Sequence, residues 1–101
     1  MKSLRFDNRF LRELPGDPES GPRRRQIHGA LWSPVEPTPV AAPVLVAHSA
    51  EMADVLGLSA NQIAEPGFAQ AFSGNATPEG ASWYAANYGG HQFGNWAGQL
   101  G

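Results

Sequence analysis

The chain contains no cysteine, which removes disulfides, thiolate zinc sites and thiol catalysis together. Beyond Arg25 it has no lysine or arginine, and beyond Glu65 its only charged residue is Glu79. Charged residues make up 16% of the 101 positions, against about 25% in an average soluble chain. No apolar stretch approaches the roughly 18 residues that a membrane-spanning helix needs. Charged and polar residues after Met1 interrupt anything like a secretory leader. The chain therefore reads as cytoplasmic, with no membrane partner. A net charge of −2 and an apolar content of 42% also argue against charge-driven disorder.

What charge there is lies unevenly. Lys2, Arg5, Arg9, Arg12, Arg23, Arg24 and Arg25 face only Asp7, Glu13, Asp17 and Glu19 in the first 25 positions, a net of +3. The remainder carries Glu36, Glu51, Asp54, Glu65 and Glu79 and no cation, a net of −5. Free-standing domains spread charge over their whole surface. A neutral last third rich in glycine and aromatics is expected to be covered by something else. The expectation is that positions 1–101 are the front portion of a larger protein, incomplete as a domain.

Local patterns predict short helices and strands, an α+β chain. Phe6, Phe10, Leu11 and Leu14 share a face at helical spacing over 4–14, with Asp7 or Asn8 as cap and Pro15-Gly16 as stop. Residues 16–22 are turn chemistry and read as a mobile loop. Ile27, Ala30 and Trp32 suggest a strand within 26–35, limited to an edge or a short piece by the prolines that follow. Val44-Leu45-Val46-Ala47 is the best candidate for a buried strand. Ser49 caps a helix over 50–56 with Gly57 past its close. Ser59 and Gln62 form a capping-box pattern. Pro66 opens a helix to Phe72 that pairs Phe68 with Phe72 at i, i+4. Residues 82–88 suggest another helical turn.

Positions 88–101 read Tyr-Gly-Gly-His-Gln-Phe-Gly-Asn-Trp-Ala-Gly-Gln-Leu-Gly. Five glycines in this stretch cost backbone entropy. They allow either a loop whose N–H groups cradle phosphate or a structural turn, and the turn is preferred on spacing alone. A Walker loop and the Rossmann fingerprint are both absent. Gly90, Gly94 and Gly98 imitate a membrane packing motif, but no long apolar segment accompanies them.

The blocks Tyr88-Gly-Gly-His91-Gln92-Phe93-Gly94 and Trp96-Ala-Gly-Gln99-Leu100-Gly101 resemble the signature of the selenoprotein O (SelO, or YdiU) family. Phe10-Leu-Arg-Glu-Leu-Pro15, Pro37-Thr38-Pro39-Val40 and Ala50–Gly57 match the same family in order, so the resemblance runs along essentially the whole chain. It implies the N-terminal part of a single protein-kinase-like (pseudokinase) domain. The implied activity is protein adenylylation, the transfer of AMP from ATP to Ser, Thr or Tyr hydroxyls of protein substrates with Mg or Mn. By the same resemblance, Gly101 is the first glycine of the nucleotide loop and contacts ATP. The family's catalytic aspartate, metal ligands, ion-paired lysine and pocket arginines correspond to no position in 1–101. Alternatives from the residues themselves are a kinase-like phosphotransferase fragment and a non-catalytic protein-binding module.

Other residues receive plainer expectations. His91 is expected to be a packing residue, and His28 and His48 lack metal-site spacing with it. Trp83, Tyr84, Tyr88, Phe93 and Trp96 are expected to be core for a lobe whose other half is missing, in preference to an adenine platform. Arg23-Arg24-Arg25 is expected to be a solvated basic loop, with no nucleic-acid partner given the net negative charge. Asn75-Ala76-Thr77 is read as a turn. Glu79 has no assigned role.

Overall fold

Ser59 shows how closely local chemistry dictates the helices. Its hydroxyl accepts from the Gln62 N–H at 3.2 Å, and the Gln62 carboxamide accepts from the Ser59 N–H at 2.7 Å. Two amide donors that the first helical turn leaves unpaired are thereby satisfied. The computed structural model describes residues 4–21, 23 and 25–100. The elements among them are α1 (Arg9–Glu13), β1 (Trp32–Pro34), α2 (Ala50–Val55), α3 (Ala60–Ala64), α4 (Pro66–Phe72), β2 (Tyr84–Ala86), β3 (Tyr88–Gln92) and β4 (Asn95–Leu100). The class is α+β with short elements. The chain divides into a helical unit, Pro37–Ser82 with the segment up to Asp7, and a strand unit, Asn8–Glu36 with the segment from Trp83.

In the helical unit, Ser49 caps α2 by accepting from the Met52 N–H at 3.1 Å. Gly57, at φ 74°, closes it. The Gly57 N–H reaches the Asp54 carbonyl at 3.0 Å and the Leu58 N–H the Ala53 carbonyl at 2.8 Å, the two bonds of a Schellman cap. That cap turns Leu58 back onto Ala53, and both join Ile63 of α3 and Phe68 of α4 in the core, with Leu4 packed against them. Pro66 sits at the first position of α4, where its missing N–H costs nothing. The Phe68 and Phe72 rings stack at 4.6 Å. Asn75 holds the extended segment opposite: its Oδ1 accepts from the Val40 N–H and its Nδ2 donates to the Val40 carbonyl, both at 2.8 Å.

Two expectations fail, one in the helical unit and one at α1 of the strand unit. Val44–Ala47 forms no strand and is not buried; Val44 is 79% exposed and Val46 96%. An apolar run becomes a buried strand only when a neighbouring strand pairs with it, and none does here. Helix α1 covers only Arg9–Glu13, not 4–14, and buries no residue. Asn8 takes a left-handed conformation, φ 54°, and its side chain makes no capping bond, so the helical path cannot extend back towards Leu4.

The strand unit contains two antiparallel pairs. β1 pairs with β2 through Trp32 opposite Ala86, Ser33 opposite Ala85 and Pro34 opposite Tyr84. Phe10 of α1 stacks on Tyr84 at 5.1 Å, and the Trp32 indole N–H donates to the Leu14 carbonyl at 3.1 Å. The expected helical turn at 82–88 does not form; Tyr84–Ala86 is β2 and Tyr88 opens β3. Aromatic residues favour the pleated conformation once a partner is available, and β1 supplies one. β3 pairs with β4 through Gly90 opposite Ala97, His91 opposite Trp96 and Gln92 opposite Asn95.

Candidate functional site

The glycine-rich segment is a β-hairpin. Phe93 and Gly94 form its two-residue tip with φ of 51° and 81°, and positive φ at both central residues is the type I′ geometry that matches strand twist. Gly94 adopts it freely, whereas Phe93 does so with its ring fully in solvent. Gly89 answers a different need. A Cβ there would lie 2.7 Å from the Trp96 ring and 3.2 Å from the Ala97 carbonyl, so only glycine lets the indole lie across β3. The His91 imidazole meets the same indole edge-on at 5.1 Å and 70°.

The hairpin is not uniform. Tyr88 lies opposite Leu100 and Gly90 opposite Ala97, so Gly98 and Gln99 together face the single residue Gly89. This is a β-bulge in β4. At the bulge, Gln99 Oε1 accepts from the Ile27 N–H at 2.9 Å, and Nε2 lies 3.5 Å from the Arg25 carbonyl.

Arg25 in turn belongs to an ionic clasp. Its guanidinium pairs with the Asp17 carboxylate and, through Nε at 3.1 Å, with Glu19. Ser33 of β1 donates to Asp17 at 3.0 Å, and the Glu19 N–H donates to Asp17 Oδ1 at 3.1 Å. Both charged side chains of the Asp17–Arg25 pair are largely withdrawn from water, at 8% and 16% exposure. Arg23 grips Glu19 with two bonds of 2.7 Å. That bidentate contact holds the Glu19 carboxyl below its ordinary range and raises the Arg23 guanidinium.

These contacts revise two expectations. The loop from Gly16 is tied down at Asp17 and Glu19, and Arg25 is withdrawn from water against Asp17, while Arg23 pairs with Glu19 and stays largely in solvent, as a solvated basic loop would have it. The reason is local: an Asp-Pro-Glu turn folds two carboxylates towards cations only a few residues on. Arg24 and Gly101, the residue assigned to ATP by resemblance, lie outside the described residues. Of the aromatics in this region, Tyr84 is 40% exposed, Tyr88 58% and Trp96 63%. His91 meets Trp96 edge-on but is itself exposed. Among the described residues no three His, Asp or Glu side chains cluster as metal ligands, and no helix is long and apolar enough to cross a membrane.

Sequence reasoning missed Asp17, Gln99 and Asn87. The Asp-Pro turn was a legible signal for Asp17. For Gln99 none existed, since the bulge that aims it depends on strand pairing. Asn87, between β2 and β3, donates its backbone N–H to the Leu31 carbonyl at 2.9 Å, while its side-chain Nδ2 is buried without an acceptor.

The family model for protein adenylyltransferase SelO matches residues 20–101. The chain is 64% identical over all 101 residues to the protein nucleotidyltransferase YdiU of Azoarcus sp. (strain BH72), covering 20% of that protein. It is 65% identical, again over its full length, to the proteins of the same name from Xanthomonas euvesicatoria pv. vesicatoria (strain 85-10) and Xanthomonas axonopodis pv. citri (strain 306), covering 19% of each. The chain thus spans about one fifth of the length of these relatives. With the family model matching residues 20–101 and this identity along its whole length, the chain belongs to the SelO family of protein nucleotidyltransferases.

Proposed function

We propose that positions 1–101 form the N-terminal part of a kinase-like protein adenylyltransferase, which moves AMP from ATP to Ser, Thr or Tyr hydroxyls of protein substrates. The observation that carries this reading is identity of 64–65%, end to end, with relatives named protein nucleotidyltransferase. The role of the described residues is scaffold: a hairpin whose second strand leads towards Gly101, the proposed first glycine of the nucleotide loop.

The described residues do not by themselves fit a metal–triphosphate. Arg23 and Arg25 are already engaged by Glu19 and Asp17, and no lysine or arginine follows Arg25. Offsetting phosphate charge requires cations or metal, so this reading assigns those groups, with the Mg or Mn ligands and the catalytic base, to polypeptide beyond position 101. Cytoplasmic location belongs to the same proposal.

The test is to incubate the full-length protein with α-labelled and γ-labelled ATP in parallel and follow label on protein. Label retained from the α position alone is the expected outcome. Label retained from the γ position alone would identify a phosphotransferase and overturn the adenylylation reading.

A further inference from the structure

A two-stranded hairpin is marginal by itself, and its ends are the first parts to open. β4 has β3 on one edge, and the bulge interrupts that pairing close to its far end, where Gly98 and Gln99 share Gly89 as partner. Beyond the bulge a single ladder pair, Leu100 opposite Tyr88, remains, so fixing this strand end firmly takes a contact from outside the ladder. Gln99 supplies the hold. Its carboxamide takes the place of a neighbouring strand's peptide group, accepting from the Ile27 N–H at 2.9 Å. The segment it grips is anchored in turn, because Arg25 is fastened to Asp17 and Glu19, and Asp17 to Ser33 of β1. A continuous series of polar contacts therefore runs from β1 through Asp17 and Arg25 to the end of β4.

We propose that Gln99, aimed by the bulge in β4, is a positioning residue that transmits the Asp17–Arg25 clasp to the strand end from which the nucleotide loop departs. It touches no reacting group and acts by restricting where that strand end lies. The inference rests on the adenylyltransferase reading for its kinetic consequence but not for the clamp itself. Bulges commonly re-aim a side chain in this way. The absence of any further polar contact for the Gln99 carboxamide among those described is consistent with a dedicated use.

The experiment compares Gln99→Met, which keeps length and loses both polar atoms, with Gln99→Glu, which keeps the acceptor for Ile27, in the full-length protein. Amide hydrogen exchange over residues 26–30 reads the clamp without activity. Loss of one hydrogen bond corresponds to exchange about fivefold faster in Gln99→Met, with protection retained in Gln99→Glu. Steady-state AMP transfer is expected to show KM for ATP raised about fivefold in Gln99→Met, with kcat and Tm little changed. Unchanged exchange in Gln99→Met overturns the clamp. Faster exchange with unaltered KM overturns the positioning role, as does a parallel fall in kcat, KM performance and Tm, which marks general destabilisation. If the unsubstituted protein transfers no AMP, the adenylyltransferase reading and the kinetic role fall together, while the exchange result still decides the clamp.

Discussion

Phe93 occupies a left-handed backbone conformation, φ 51°, with no contact to compensate its fully exposed ring. That conformation costs a bulky residue about 1 kcal/mol, whereas asparagine visits it readily. Phe93→Asn is therefore expected to stabilise the protein by about 1 kcal/mol in denaturant unfolding; a loss of stability would show that the ring has a partner. Glu19 allows a titration test. Its two bonds from Arg23 favour the ionised carboxylate, so its folded-state pKa lies below the unfolded value. The stabilisation is present above the unfolded pKa and disappears as pH falls through the depressed folded one. Following the Glu19 carboxyl by NMR should give a midpoint below that of an unpaired glutamate, returning to the ordinary range in Arg23→Gln. Of the residues that matter here, those acting through near neighbours were legible from the chain: Ser49, Ser59 and Gly57 each do what their position predicted. Asp17 was legible as a turn residue but not as the partner of Arg25, because no local pattern shows which cation eight positions on the turn will meet.

Elements divide along the same line. The helices of the helical unit were readable because capping is a contract between residues three or four positions apart. Ser59→Ala should cost about 1 kcal/mol in thermal or denaturant unfolding, and Ser59→Thr should recover much of it. The clamp from Asn75 to Val40 spans 35 positions, and no local pattern announces it. Asn75→Ala removes both bonds at an exposed place where water replaces them, so a loss of about 1 kcal/mol is expected; no loss would demote the clamp to an incidental contact. Residues 82–88 went astray for the opposite reason. Their aromatic spacing is compatible with a helical turn, and pairing of β2 with Trp32–Pro34 decides for strand. Val44–Ala47 erred in the other direction, since its composition suits a strand whose partner is missing from the described residues.

For the whole molecule, the informative quantity is how little is buried. The buried apolar residues among those described are Ala53, Leu58, Ile63, Phe68 and Ala71, and none of them is more than about nine-tenths to nineteen-twentieths withdrawn from water. Val44, Val46, Val55, Phe72 and Phe93 stand largely in solvent. Exposed apolar surface of this kind drives association. Residues 1–101 expressed alone should self-associate in sedimentation or size-exclusion measurements, and a dilute monomer with sharp, dispersed amide resonances would refute this. By itself the sequence determined the family, through the ordered blocks ending in His91-Gln92-Phe93-Gly94, and where α2, α3 and α4 start, through Ser49, Ser59 and Pro66, which act on residues only a few positions away. Tertiary structure alone decided that the glycines build a bulged hairpin, that Arg25 closes on Asp17, and that Gln99 reaches Ile27. Those contacts join residues up to 72 positions apart, and a one-dimensional pattern carries no record of which distant backbone groups strand pairing will bring within hydrogen-bond reach.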